Sequence, residues 1–114
     1  MKIFLDDLRI APEGWTLARN PEDFWYLFNG NLNAIEEISL DHDLGYFDDD
    51  GNEIKGVHIL NEIEEMFGGL YPPFHIYVHS DNSSGVQTMV QAINRMAERS
   101  GIRIPNPQRK YSVD

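Results

Sequence analysis

Three short apolar runs in this chain each stop at ionisable residues. Residues 2–5 run into Asp6 and Asp7, residues 35–40 into Asp41, His42 and Asp43, and residues 74–78 into His79, Ser80, Asp81 and Asn82. Runs this short and this continuously apolar are the pattern of strands buried on both faces, which belong to parallel sheets. A fourth and weaker strand candidate spans 15–18.

Helical patterns separate the runs. Asn20, Pro21, Glu22 and Asp23 combine a capping side chain, a proline suited to the first turn and acids at the positive helix end, so a helix is expected from there to Gly30. Val57, Leu60, Ile63 and Phe67 keep the 3.6-residue period between Gly56 and the stop at Gly68 and Gly69. Val86, Met89, Val90, Ile93, Met96 and Ala97 keep it up to Gly101. Strands alternating with helices predict an α/β fold over 1–101 with a mainly parallel sheet of about four strands. Segment 102–114 is expected to be a C-terminal extension or edge segment, and the acidic stretch 47–53 a solvated loop.

Composition bounds the functions. The 114 residues carry 9 Lys plus Arg against 19 Asp plus Glu, a net charge of −10, which opposes broad nucleic-acid binding. No apolar run approaches the roughly 18–20 residues that cross a bilayer, and the start MKIFLDDLR puts acids where a signal peptide needs an apolar stretch, so a soluble cytoplasmic protein is expected. The lack of cysteine removes disulfides, thiolate zinc sites and thiol nucleophiles.

Ligands of parallel α/β sheets bind beyond the carboxyl ends of the strands, so the polar run ends should converge. A cluster of Asp6, Asp7 and Asp41 repels itself unless a cation compensates it, and Mg²⁺ or Mn²⁺, completed by waters and phosphate oxygens, suits such a set. The competing reading is that these acids cap turns and helices. Arg9 and Arg19 are candidate phosphate clamps or structural ion-pair partners. Ser83, Ser84 and Gly85 precede the last helix, whose free N–H groups and positive dipole end form an anion site, although capping alone also explains a serine there. His42 and His79, at neighbouring strand ends, are candidate acid–base groups. Asp41 to Asp43 does not begin an EF-hand, because Gly45 would be its sixth position only if Leu40 were its first. No phosphate-binding glycine loop, dinucleotide fingerprint or Gly-x-Ser-x-Gly elbow is present.

Leu5-Asp6-Asp7-Leu8-Arg9, then Pro12, Gly14, Trp15 and Arg19, then Ser39-Leu40-Asp41-His42-Asp43-Leu44-Gly45, then His79-Ser80 with Asn82 and Gly85, resemble the cyclic-phosphate-processing receiver-like domains from about residue 3 to 95. The resemblance implies a small three-layer, receiver-like fold over 1–101, that Asp6 and Asp7 form a metal-binding acidic pair, that Asp41 stands where receivers are phosphorylated, and that Ser80 is the hydroxyl position. It also implies activity on a cyclic phosphate, a 2′,3′-cyclic nucleotide or RNA end. Two features depart from the pattern: no fifth strand with its lysine is evident, and Lys55 and His58 flank the middle helix where the family has threonine and aspartate.

The leading expectation is therefore a metal-assisted phosphoesterase with Asp6, Asp7 and Asp41 as ligands, Arg9, Arg19, Asn82 and Ser83 binding substrate, and Asp41, His42, His79 and Ser80 at the chemistry. The alternatives are a signalling receiver phosphorylated on Asp41 and a non-enzymatic acidic protein that occupies a basic partner.

Overall fold

A computed structural model describes residues 1–110. Four strands, β1 (Lys2–Leu5), β2 (Thr16–Ala18), β3 (Glu37–Leu40) and, later in the chain, β6 (His75–Val78), form one sheet in the order β2-β1-β3-β6, every pair parallel. The expected runs beginning at residues 35 and 74 enter the sheet a residue or two later. Their first residues, Ile35 and Phe74, pack into the core from outside the ladder.

Helix α1 (Pro21–Gly30) starts as its capping residues require, with the Asn20 side chain accepting the Asp23 N–H at 2.8 Å. Helix α2 (Gly56–Met66) ends before Gly68 and Gly69, both at positive φ. Helix α3 (Ser83–Ser100) is capped by Asn82 and stops at Gly101 in the left-handed conformation. Residues 47–53 differ from the expected loop. Tyr46–Phe47 (β4) and Glu53–Ile54 (β5) pair as a small antiparallel hairpin, its turn organised by the Asp48 carboxylate, which accepts the N–H groups of Asp50 and Asn52.

The receiver-like α/β fold with a four-stranded parallel sheet is as expected, but the sheet and helices make two layers where three were expected. From β2 to β3 and from β3 to β6 the chain steps across the sheet in one direction, and right-handed crossovers then place their helices on one face. The hydrophobic cluster reflects this. Ile3, Leu5, Ile38, Leu40, Ile76 and Val78 join Phe24 and Phe28 of α1, Ile59, Leu60 and Ile63 of α2, and Met89, Ile93 and Met96 of α3. The alternate residues Phe4, Ser39 and Tyr77 are buried outside that cluster. Loop side chains cover them: Trp15 meets Phe4 edge-on at 6.2 Å, and the Arg109 guanidinium lies 4.0 Å over the Tyr77 ring. β1 passes to β2 through a loop, so no crossover helix from this step covers that face.

Arg109 arrives there because the chain returns to the free edge of β6. Val78 donates to the Pro107 carbonyl at 2.7 Å, Arg109 donates back to Val78 at 2.8 Å, and Gln108 forms a parallel bridge with Val78. The last four residues of the 102–114 segment lie outside the described residues. No helix among the described residues is long and apolar enough to cross a membrane.

Gly56 fixes the approach of α2 to the site. Its N–H donates to the His42 carbonyl at 2.8 Å, and a Cβ at this position would fall 2.0 Å from the Asp41 carbonyl oxygen, a backbone atom with nowhere to go. Gly56→Ala is expected to cost roughly 2–4 kcal/mol, a severe steric case. Gly30→Ala, whose Cβ would meet nothing, should change stability by about 1 kcal/mol or less. Urea midpoints of the two variants against the parent check both values.

Candidate functional site

Strand register assembles the site. β1 and β3 pair Phe4 with Ser39 and Leu5 with Leu40, while β3 and β6 pair Ser39 with Tyr77 and Leu40 with Val78. Side chains alternate along a strand, so two residues past Phe4, Ser39 and Tyr77 the same face carries Asp6, Asp41 and His79. The backbone ladder continues under them: Asp41 N–H donates to Leu5 and His79 N–H to Leu40, both at 3.0 Å. Three stretches distant in sequence therefore meet on the helix-free side.

Asp6 is the centre of this meeting and is fully buried. Its Oδ1 accepts the backbone N–H groups of Leu8 at 2.8 Å and Arg9 at 2.7 Å. Its Oδ2 accepts Arg9 Nη1 and His79 Nε2, both at 3.0 Å. Burial opposes its ionisation, but the hydrogen bonds from His79, from the two backbone amides and from the Arg9 guanidinium outweigh that, and the carboxyl is held well below the usual range. An ionised Asp6 makes His79 Nε2 the donor, so Nδ1 accepts from the Ser39 hydroxyl at 2.7 Å. Burial lowers the His79 pKa despite the pull of Asp6, with Arg9 adding to the lowering, and the ring stacks on Phe4 at 4.1 Å between centroids.

Asp41 has the opposite character. Burial and the charge of Asp6 push it up to about 6, against the Ser80 hydroxyl, the His42 N–H and Arg9, which favour the charged form. Arg9 Nη1 stands 3.9 Å from its Oδ2, and Arg9 Nη2 reaches out to Asp81 at 2.8 Å. Carboxylate oxygens of Asp6, Asp7 and Asp41 lie within 4.8 Å of one another, a donor set chemically suited to a hard divalent cation. Asp6 belongs to the trio by distance, yet its four acceptor positions are engaged, so direct ligation would require it to release Arg9 or His79. Asp7 and Asp41 are the better-placed ligands.

The remaining expected residues divide. His42 is one residue out of phase with His79 and so turns to the helix side. Its Nδ1 meets Asp43 at 2.9 Å, and its ring lies so close to Gly85 that a Cβ there would sit 2.5 Å from the imidazole Cγ. The two histidines therefore do not form an acid–base pair. With both nitrogens engaged and the side chain 2% exposed, His79 suits holding Asp6 in place rather than moving protons. Arg19 directs Nη1 to the carbonyls of Arg9 (2.7 Å) and Asp6 (3.4 Å), which pins the loop after β1 rather than presenting a clamp. Asn82 uses its Oδ1 on Gly85 N–H and its Nδ2 on Asp43 at 3.2 Å, so it acts as a helix cap. Ser83 lies on a neighbouring groove with Val86 and Gln87.

Two cavities open at the strand ends. One, of about 430 Å³, is acidic, with Asp7, Asp41, Asp43 and Glu53 on its walls. The other, of about 290 Å³, is lined by His79, Gln108, Arg109 and Lys110. Arg9, Ser80 and Asp81 face both. Sequence reading missed Ser39, Asp81 and the C-terminal contributors. Ser39 had a signal, a lone polar residue inside an apolar run and in phase with Asp41.

A family model described as the cyclic-phosphate processing receiver domain matches residues 1–95. The chain belongs to that family. Comparisons with curated proteins and with solved structures find no match. In this cyclic-phosphate processing receiver domain the matched span holds Asp6, Asp7, Asp41 and His79, while Gln108, Arg109 and Lys110 lie beyond it. The edge where a fifth strand was missing from the sequence pattern is taken by the single Gln108 bridge.

The raised Asp41 has a thermodynamic signature. A carboxyl whose folded pKa lies above its unfolded value of 3.8 gives stability at low pH that is lost as pH rises through about 6. In EDTA, Asp41→Asn is therefore expected to be more stable than the parent by about 1–3 kcal/mol at pH 8. The advantage should vanish by about pH 4. Thermal melts across that range measure it.

Proposed function

We propose that this receiver domain is a phosphoesterase that opens a cyclic phosphate, a 2′,3′-cyclic nucleotide or RNA end, with Mg²⁺ or Mn²⁺ held by Asp7 and Asp41 and Asp6 behind them. The observation that carries the reading is the pairing of a tight carboxylate trio with a partly buried guanidinium at the mouth of a cavity of about 430 Å³. Family membership supplies the cyclic phosphate.

A cation at Asp7 and Asp41 would supply neutralisation of the charge that builds on the phosphoryl oxygens. Arg9 is oriented by Asp6, and its Nη2 meets an Asp81 side chain that is 93% exposed, so a phosphate oxygen can replace Asp81 there. Ser80 faces the same cavity and offers a hydroxyl to substrate. In the reaction water attacks phosphorus, one ring P–O bond breaks, and the freed ribose oxygen takes a proton, leaving a phosphomonoester.

A metal-free version is favoured by two observations, the filled acceptor positions of Asp6 and the Arg9 guanidinium already 3.9 Å from Asp41. In that version Asp41, raised to about 6, is the base that takes the proton from water, its affinity suited to transfer near neutral pH.

Adenosine and uridine 2′,3′-cyclic phosphates, with linear monoesters and diesters as controls, are to be assayed with Mg²⁺, with Mn²⁺ and in EDTA. Ring opening with divalent cation, lost in EDTA, is the expected result, with Asp41→Asn slower by roughly 10²-fold or more. Activity indifferent to EDTA selects the Asp41 base. If every cyclic phosphate stays closed and a small phosphodonor instead adds a phosphate to Asp41 by intact mass, the chain is a signalling receiver.

A further inference from the structure

The two cavities at the strand ends have opposite electrostatic character. An anion entering the acidic one faces Asp7, Asp41, Asp43 and Glu53 and needs a cation to accompany it. An anion entering the other meets Arg9, Arg109 and Lys110 directly. The chain has 9 Lys plus Arg and a net charge of −10, so three of its nine cations line one cavity. By contrast, Arg95 and Arg99 are tied to Glu64 on the helix layer.

The basic cavity is also built. Pairing of residues 107–109 with Val78 fixes the backbone, the Tyr77 ring holds Arg109 at 4.0 Å, and Asp6 orients Arg9. Asp81 is the acid on its wall and is already paired with Arg9. At about 290 Å³ the cavity is at the small end for ligand sites, and its lining of Arg9, Arg109 and Lys110 suits a phosphate.

We propose that this basic cavity is a subsite for a second phosphate of the substrate, so that the preferred class is a cyclic phosphate ester carrying a further phosphoryl group, as in a 5′-phosphorylated nucleoside 2′,3′-cyclic phosphate or an oligonucleotide end. The proposal rests on the cyclic-phosphate reading above. The reacting ring sits on the acidic side, the second phosphate sits between Lys110 and Arg9, and Arg9, Ser80 and Asp81 form the partition.

The test is a calorimetric titration, in Ca²⁺ to retard turnover, of adenosine 2′,3′-cyclic phosphate and its 5′-phosphorylated counterpart. The parent is expected to bind the 5′-phosphorylated compound roughly 10-fold tighter, as charge-assisted contacts to one added phosphate warrant. That preference should shrink as salt rises, because exposed charges are screened. In Lys110→Glu, an exposed substitution, the affinity ratio of the two compounds should fall to about 1 with the melting temperature unchanged. Arg109→Ala should lower the ratio in the same direction. Equal affinities in the parent overturn the proposal. So does a Lys110→Glu variant that weakens both compounds alike, since the basic cavity would then hold the reacting phosphate. If neither compound binds, the cyclic-phosphate reading falls as well, which tells the two failures apart.

Discussion

The buried Asp6 carboxylate governs the geometry of everything around it. Removing a charge from water costs several kcal/mol, and a protein retains such a charge only when the lone pairs are satisfied. Asp6 meets that condition by drawing in four donors from two places in the chain: the loop after β1 through Leu8 and Arg9, and the end of β6 through His79. The same bonds that make its charge tolerable fold the loop back, fix the Arg9 guanidinium and set the His79 tautomer. Ser39 then completes the chain from the interior of β3. The loop after β1 follows no helical or strand period, and its shape is dictated by where the Asp6 oxygens lie.

Satisfying one acid leaves its neighbour exposed to the consequences. Asp41 sits beside a permanently charged Asp6, with Arg9 closer to Asp6 than to it, so the two carboxyls are driven to opposite ends of the carboxylate range. Environments that split the proton affinities of paired acids assign them different roles. Asp6 is the anchor, and Asp41 is the group whose charge state changes near neutral pH. The fold carries that repulsion as a standing cost to stability.

Much of this was legible in the chain because it follows from periods. The three helices, the cap at Asn20 and the stops at Gly30 and Gly101 came from local side-chain chemistry, and the parallel sheet from apolar runs separated by helices; the last helix was expected to be capped by a serine, and Asn82 caps it instead. The convergence of Asp6, Asp41 and His79 followed from strand direction alone. Sequence did not disclose the register phase, which sends His79 to one face and its apparent twin His42 to the other. It did not disclose how acceptors are filled, which makes Asp6 an anchor among three similar aspartates. Arg19 illustrates the same gap: its spacing suggests a clamp, while its hydrogen bonds go to two carbonyls of the loop. The 47–53 stretch hid a hairpin because two-residue strands leave no readable alternation.

Layering ties the site to the tail. Because the crossovers put the helices on one face, the other face, bearing Phe4, Ser39 and Tyr77, must be covered by side chains that reach over from loops and from the sheet edge. An aromatic ring at the free edge is best covered by a flat cation, and a guanidinium stacked on it also donates outward. Arg109 over Tyr77 performs this cover, and its neighbour Lys110 comes with it into the cavity that His79 also lines. A chain carrying ten more acids than bases thus acquires a local positive end as a by-product of closing its own sheet. Arg109, which covers the helix-free face at Tyr77, is at the same time part of the wall of that cavity.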